Sequence, residues 1–123
     1  MLEKKLLIVD DEAGFVDMVL EYFRGEGYDA RPALNFTDAL QTFREQKPNV
    51  VIMDVNMPLL TTEKFLPVLK MLNPVVKVIL ISGSLEDEVQ AKFKDTDYFA
   101  FFEKGNFSLA QIKRKVEEAL SSS

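Results

Sequence analysis

Four short apolar runs, each followed at once or within two residues by a polar group, constrain this chain more than any other feature. They are Leu6-Leu7-Ile8-Val9 before Asp10-Asp11, Val50-Val51-Ile52-Met53 before Asp54, Val78-Ile79-Leu80-Ile81 before Ser82, and Tyr98-Phe99-Ala100-Phe101-Phe102 just ahead of Lys104. Continuous β-branched and aromatic runs of this length, without in-out alternation, read as strands covered on both faces. Helical patterns separate them, so the strands are predicted to lie parallel. In open parallel sheets the carboxyl ends of the strands share one edge, and ligands bind outside that edge. Asp10, Asp11, Asp54, Ser82 and Lys104 are therefore predicted to meet in space despite their separation along the chain.

Between the runs the spacing changes. Phe15, Val16, Val19, Leu20 and Phe23 form the stripe of an amphipathic helix that ends at Gly25 and Gly27. Tyr28 to Pro32 reads as a weaker strand, placed at an edge because proline has no N–H to give to a ladder. Asn35 is a cap for a second helix with Ala39, Leu40 and Phe43 inward, and Pro48 marks its end. A third helix is expected within Thr61–Leu72, kinked or delayed by Pro67, and Asn73-Pro74 closes it. Leu85, Val89 and Phe93 outline a fourth. Ser108 and Gln111 make a capping box for a fifth, with Leu109, Ile112 and Val116 inward. Five successive βα units predict an α/β fold: an open parallel sheet with helices on both faces and right-handed crossovers.

Composition removes several kinds of function. At 123 residues and 47% hydrophobic, the chain is predicted to be one domain over 1–123 with a single core. A net charge of -5 argues against direct nucleic-acid binding. Lys113-Arg114-Lys115 alternates with Glu117 and Glu118 and reads as a solvated helix face. With no cysteine and no histidine, thiolate chemistry, disulfides and imidazole general bases are all absent, so carboxylates must carry the chemistry. Met1–Lys5 leads into too few apolar residues for a secretory or membrane segment, and a cytoplasmic location is expected. Ser121 to Ser123 reads as a frayed tail or the start of a linker.

Taken singly, each candidate has an ordinary explanation. Asp10, Asp11 and Glu12 suit a helix N-terminus, Asp54-Val55-Asn56-Met57-Pro58 suits a turn, Ser82-Gly83-Ser84 suits a loop, and Lys104 suits a surface. Their joint placement at strand ends does not reduce to those explanations. Clustered carboxylates raise one another's pKa unless a cation is present. Mg²⁺ fits such a site, since it accepts one or two carboxylates, keeps waters and completes its shell with phosphate oxygens. The pattern thus points to an acidic metal pocket that receives a phosphoryl group.

The motifs Leu7-Ile8-Val9-Asp10-Asp11-Glu12, Val51-Ile52-Met53-Asp54-Val55-Asn56-Met57-Pro58, Ile79-Leu80-Ile81-Ser82-Gly83 and the late Lys104 resemble the receiver domain of bacterial response regulators, over nearly the full chain. The resemblance implies a three-layer, CheY-like, flavodoxin-like (βα)5 sandwich with strand order 2-1-3-4-5. It implies that Asp54 is the phosphoacceptor, and that Asp10, Asp11, Asp54 and the main-chain carbonyl of Asn56 hold Mg²⁺, with Asp10 acting through water. Lys104 and Ser82 would contact phosphoryl oxygens. Ser82 and Phe101 would be the switch residues, read out at the face of the fourth helix, fifth strand and fifth helix, through which a homodimer could also form. The implied partners are a sensor histidine kinase or phosphotransfer protein and a downstream protein or linked output domain, without membrane contact. The chain would be no enzyme toward other substrates, only a signalling phosphoacceptor that assists its own Mg²⁺-dependent phosphorylation and dephosphorylation.

The chain departs from the family pattern in places. Gly105 follows Lys104 where the family has a cis-bonded proline, so a looser lysine is expected. The glycine usual after the Met-Pro turn is missing near Thr62, and Pro67 falls inside the third helix. Asn56 and Ser84 flank the site and are expected to tune dephosphorylation. Three rivals compete with the leading reading. An aspartyl-phosphate phosphatase needs an acid where Asn56 stands. A flavin carrier needs a phosphate cradle where Asp10-Asp11-Glu12 would repel phosphate. A receiver-like interaction domain that is never phosphorylated stays open.

Overall fold

The computed structural model describes residues 3–57, 62–83, 86–93 and 97–122, so expectations that concern Pro58, Thr61, Ser84, Leu85 and Ser123 lie outside the described residues. In chain order the elements are β1 (Lys5–Val9), α1 (Ala13–Gly25), β2 (Asp29–Ala33), α2 (Phe36–Gln46), β3 (Val50–Asp54), α3 (Thr62–Leu72), β4 (Lys77–Ser82), α4 (Glu86–Lys92), β5 (Ala100–Glu103) and α5 (Leu109–Ser121). All strand pairs are parallel, in the order β2-β1-β3-β4-β5.

Residue parity within the apolar runs divides the core in two. Leu7, Val9, Val51, Met53, Val78 and Leu80 pack against Phe43, Phe65, Leu66, Leu69, Val89 and Phe93 from α2, α3 and the α4 end. Their chain neighbours Leu6, Ile8, Val50, Ile52, Ile79 and Ile81 face Val16, Val19, Phe23, Ile112 and Val116 from α1 and α5. Both sets of strand residues are at most 1% exposed, which is why no alternation shows in these runs. Register then fixes height: Val9 pairs with Met53, Asp54 with Ile81, and Ser82 with Glu103. The polar residues that follow each run therefore emerge in one layer.

Several expected boundaries hold. Asn35 accepts the Asp38 N–H through Oδ1 at 2.8 Å, capping α2. Lys47 ends that helix in the left-handed region at φ 55, and Pro48 follows. Ser108 and Gln111 form both halves of the capping box at the start of α5. The fifth strand is shorter than its apolar run: Tyr98 packs edge-on against Phe93 at 6.1 Å, Phe99 donates its N–H to the Val78 carbonyl, and pairing in β5 begins at Ala100.

Pro67 neither delays nor interrupts α3, which runs through it from Thr62 to Leu72. The ring removes one hydrogen bond to the carbonyl four residues earlier, but Pro67 is exposed, on the side where water replaces that bond. The lost bond costs more than the entropy that proline removes from the unfolded chain. Pro67→Ala is therefore expected to stabilise the protein by roughly 1–2 kcal/mol. A urea midpoint that falls or stays put would contradict this.

Candidate functional site

The ends of β1, β3, β4 and β5 deliver the functional groups. Asp10 leaves β1 almost fully buried at 1% exposure, and its Oδ1 accepts the Glu12 N–H at 2.9 Å, a short-range turn that starts α1. Asp54 is the last residue of β3 and Ser82 the last of β4, at 4% and 0% exposure. Asp11 faces solvent. Lys104 follows β5, and its N–H donates to the Ser82 carbonyl at 2.8 Å, which ties the lysine backbone to the end of β4.

The Lys104 ammonium bridges the acids. Its Nζ lies 2.6 Å from Glu12 Oε1, 2.9 Å from Asp10 Oδ2 and 3.7 Å from Asp54 Oδ2. It also stands 5.0 Å from the centre of the Phe15 ring, which packs edge-on against Phe107 at 5.9 Å. The expectation of a looser lysine is thus corrected. No cis peptide occurs among the described residues, and a turn closed by Asn106 N–H on the Glu103 carbonyl carries Gly105. Three carboxylates and one ring hold the ammonium without help from a proline.

Burial and like charge act on the acids together. Asp54 is pushed up to about 6, first because burial penalises its charge and second because Asp10 is near, with Lys104 pulling the other way. Burial also raises Asp10, against the Glu12 N–H and Lys104, which favour its charged form. Lys104 itself would be lowered by burial, but the hydrogen bonds with Glu12 and Asp10 and the charges of Asp54 and Asp10 outweigh that and raise it. One ammonium does not balance this many acids, so the pocket carries excess negative charge.

That excess suits a hard cation. Asp10, Asp11 and Asp54 each offer a carboxylate oxygen, all within 4.8 Å of one another. Asp10 Oδ2 is buried and faces the Lys104 ammonium at 2.9 Å, so one cation already stands at the edge of this oxygen cluster. All-oxygen donors of this kind fit Mg²⁺.

The five residues predicted from the strand ends do come together. Phe101 lies half-buried against the α2–α3–α4 side of the sheet, whereas Phe99 and Phe102 pack on the α1–α5 side. Alternation within β5, invisible in an unbroken aromatic run, separates Phe101 from Phe102, while Phe99 precedes the strand. Sequence reasoning missed the contacts that Glu12, Phe15 and Thr62 make with the site. Glu12 had been visible only as a helix-start acid. Thr62 is buried, and its hydroxyl donates to the Asp54 carbonyl at 2.7 Å, fixing the end of β3. Asn56 donates from Nδ2 to Ser82 Oγ at 3.1 Å and from its main-chain N–H to Asp54 Oδ1 at 3.3 Å, linking Asp54 to Ser82.

Known proteins resemble this chain in sequence and in fold. Sporulation initiation phosphotransferase F of Bacillus subtilis (strain 168) is 28% identical over 120 residues, covering 98% of this chain and 96% of that protein. The DNA-binding response regulator MtrA of Mycobacterium tuberculosis (strain ATCC 25618 / H37Rv) is 35% identical over 57 residues, which is 46% of this chain and 25% of that longer protein. Among solved structures, a CheY-like response regulator receiver domain protein from Methanospirillum hungatei JF-1 superposes with a TM-score of 0.88 at 23% identity, covering 97% of this chain and 94% of that one, a likeness of fold. Residues 6–117, from β1 into α5, match the response regulator receiver domain family. With the match running through all five strands, the protein belongs to the response regulator receiver domain family.

Proposed function

We propose that Asp54 is the phosphoacceptor of a two-component phosphorelay, modified by a sensor histidine kinase or a phosphotransfer protein. In the transfer a carboxylate oxygen of Asp54 attacks phosphorus as the bond from phosphorus to the donor's histidine nitrogen breaks. The electron pair stays on the imidazole, which takes up a proton, and an acyl phosphate is left on Asp54. One observation carries this reading: a nearly buried carboxylate at the end of β3 lies within ion-pair reach of Lys104 and shares an oxygen cluster with Asp10 and Asp11.

Asp10, Asp11, Asp54 and the main-chain carbonyl of Asn56 would hold Mg²⁺, which would supply charge neutralisation for the phosphoryl oxygens. Lys104 covers one phosphoryl oxygen and the Ser82 hydroxyl another, so both act by position and charge rather than by proton transfer. The new oxygens draw Ser82 and its loop inward, and Phe101 on β5 follows. That biases the α4–β5–α5 face, through which a downstream protein, a linked output domain or a second copy binds. Residues 1–123 act as one cytoplasmic receiver domain that assists its own phosphorylation and dephosphorylation and has no other substrate. The phosphotransferase name of its Bacillus relative supports a relay role, and MtrA shows a related regulator with a DNA-binding function in a longer chain.

Incubation with Mg²⁺ and acetyl phosphate is expected to add the mass of one phosphoryl group to the intact protein and none to Asp54→Ala. Beryllofluoride should bind the intact protein in the same Mg²⁺-dependent way. If the intact protein takes up neither, the phosphoacceptor reading fails and an interaction domain that is never phosphorylated takes its place.

A further inference from the structure

At the end of the sheet opposite the acidic pocket, the C-terminal turns of α2 and α3 enclose a groove of about 230 Å³ lined by Phe43, Arg44, Lys47, Leu72 and Asn73. Phe43 and Leu72 are its apolar lining. Beside it in the chain stand Met71, 83% exposed, and Val75, 60% exposed, while Leu72 itself is 45% exposed. Large apolar side chains this open, close in the chain to a groove residue, add to the apolar surface at this end of α3, and such surface marks binding sites. The core does not require them: Phe65, Leu66 and Leu69 already fill the inward side of α3.

Charge identifies what the groove accepts. Arg44 and Lys47 are exposed, and neither forms an ion pair among the described residues. Cations at a helix C-terminus have an ordinary role, which is to offset the carbonyl end of the dipole. Here that role leaves charge over, because two helix C-termini contribute about half a negative charge each against two full positive charges. Lys70 does not alter this balance, since its Nζ donates to the Val76 carbonyl and lies 4.0 Å from Asp97. The rim is thus net positive in a chain whose total charge is -5.

We propose that this groove binds an acidic amphipathic segment of a partner protein, with a large apolar side chain seated against Phe43 and Leu72 and its carboxylates on Arg44 and Lys47. The site lies at the amino ends of β3 and β4, whereas Asp54 and Ser82 stand at their carboxyl ends. Docking here leaves the phosphoryl site open, so the protein can hold one partner while a phosphoryl donor acts on the other end.

The test is a titration of the isotope-labelled full chain with two short helix-forming peptides that share one leucine stripe. One carries glutamate at its remaining positions and the other carries lysine. The glutamate peptide is expected to shift the amides of residues 43–47, 68–73, 75 and 76 saturably and to bind at least about tenfold more tightly than the lysine peptide, as two complementary charge contacts allow. Arg44→Glu combined with Lys47→Glu should reverse that preference. Met71→Ser should weaken the glutamate peptide several-fold with the unfolding midpoint unchanged, because that side chain is solvent-exposed. Equal binding of both peptides, no saturable binding, or shifts confined to other surfaces would overturn the proposal. So would concentration-dependent shifts of the same amides without peptide, which would assign the groove to a second copy of the chain.

Discussion

Replacing Lys104 with methionine is expected to destabilise the metal-free protein by about 2–3 kcal/mol, most of it recovered when Mg²⁺ is added. Removing one partner of a buried ion pair typically costs about 3–5 kcal/mol, because the remaining charge is left uncompensated. The expected loss lies below that range for two reasons. Glu12 is 66% exposed and regains water, and Asp10 and Asp54 can take up protons once the ammonium is gone. Methionine keeps the apolar stem against Phe15, so the loss reports charge rather than packing. The same variant should form the acetyl phosphate adduct roughly 100-fold more slowly, the usual effect of removing one preorganised contact to a transferring group. Urea unfolding in EDTA and in Mg²⁺ checks the first expectation, and a time course of adduct mass checks the second. A midpoint shift worth less than about 0.5 kcal/mol in EDTA would mean that the bridge of Lys104 to three acids is not what steadies the pocket.

A second large effect follows from Asp54, whose carboxyl is raised from 3.8 to about 6. Between those values the folded protein holds a proton that the unfolded chain has released. Stability from this group is therefore fully present below about pH 4 and is lost as pH rises through about pH 6. A carboxyl displaced that far contributes on the order of 3 kcal/mol, and Asp10 acts in the same direction. In EDTA, Asp54→Asn should remove the corresponding slope when urea unfolding is compared at about pH 5 and about pH 7.5. Because protons and a divalent cation compete for the same oxygens, Mg²⁺ should stabilise the intact protein more at the higher pH, and its affinity should fall as Asp54 protonates. Superimposable pH profiles of the intact protein and the asparagine variant would show that the native site does not penalise the charge of Asp54.

Much of this was readable before the fold was known, for reasons visible in particular residues. β1, β3 and β4 declare themselves because both faces are covered, so Leu6 to Val9, Val50 to Met53 and Val78 to Ile81 are apolar throughout. Once those strands are parallel, the residue after each run must share an edge, which is how Asp10, Asp54 and Ser82 could be brought together on paper. β5 was less legible because it is an edge strand of half-buried residues, and an aromatic run does not show where pairing starts. Pro67 misled because its penalty depends on whether it faces packing or water, and sequence spacing does not settle that. Glu12 escaped for a similar reason: a carboxylate at a helix start looks the same whether it meets solvent or a lysine 92 positions away.

The outer edge at β2 has a bearing on how the protein behaves at high concentration. Pro32 offers no N–H there, and the guanidinium of Arg24 occupies the Ala30 carbonyl at 3.0 Å. A strand from a neighbouring molecule laid alongside would find one donor of the ladder missing and one acceptor already used, so this margin resists growth into intermolecular sheet and the fibrous deposits that follow from it.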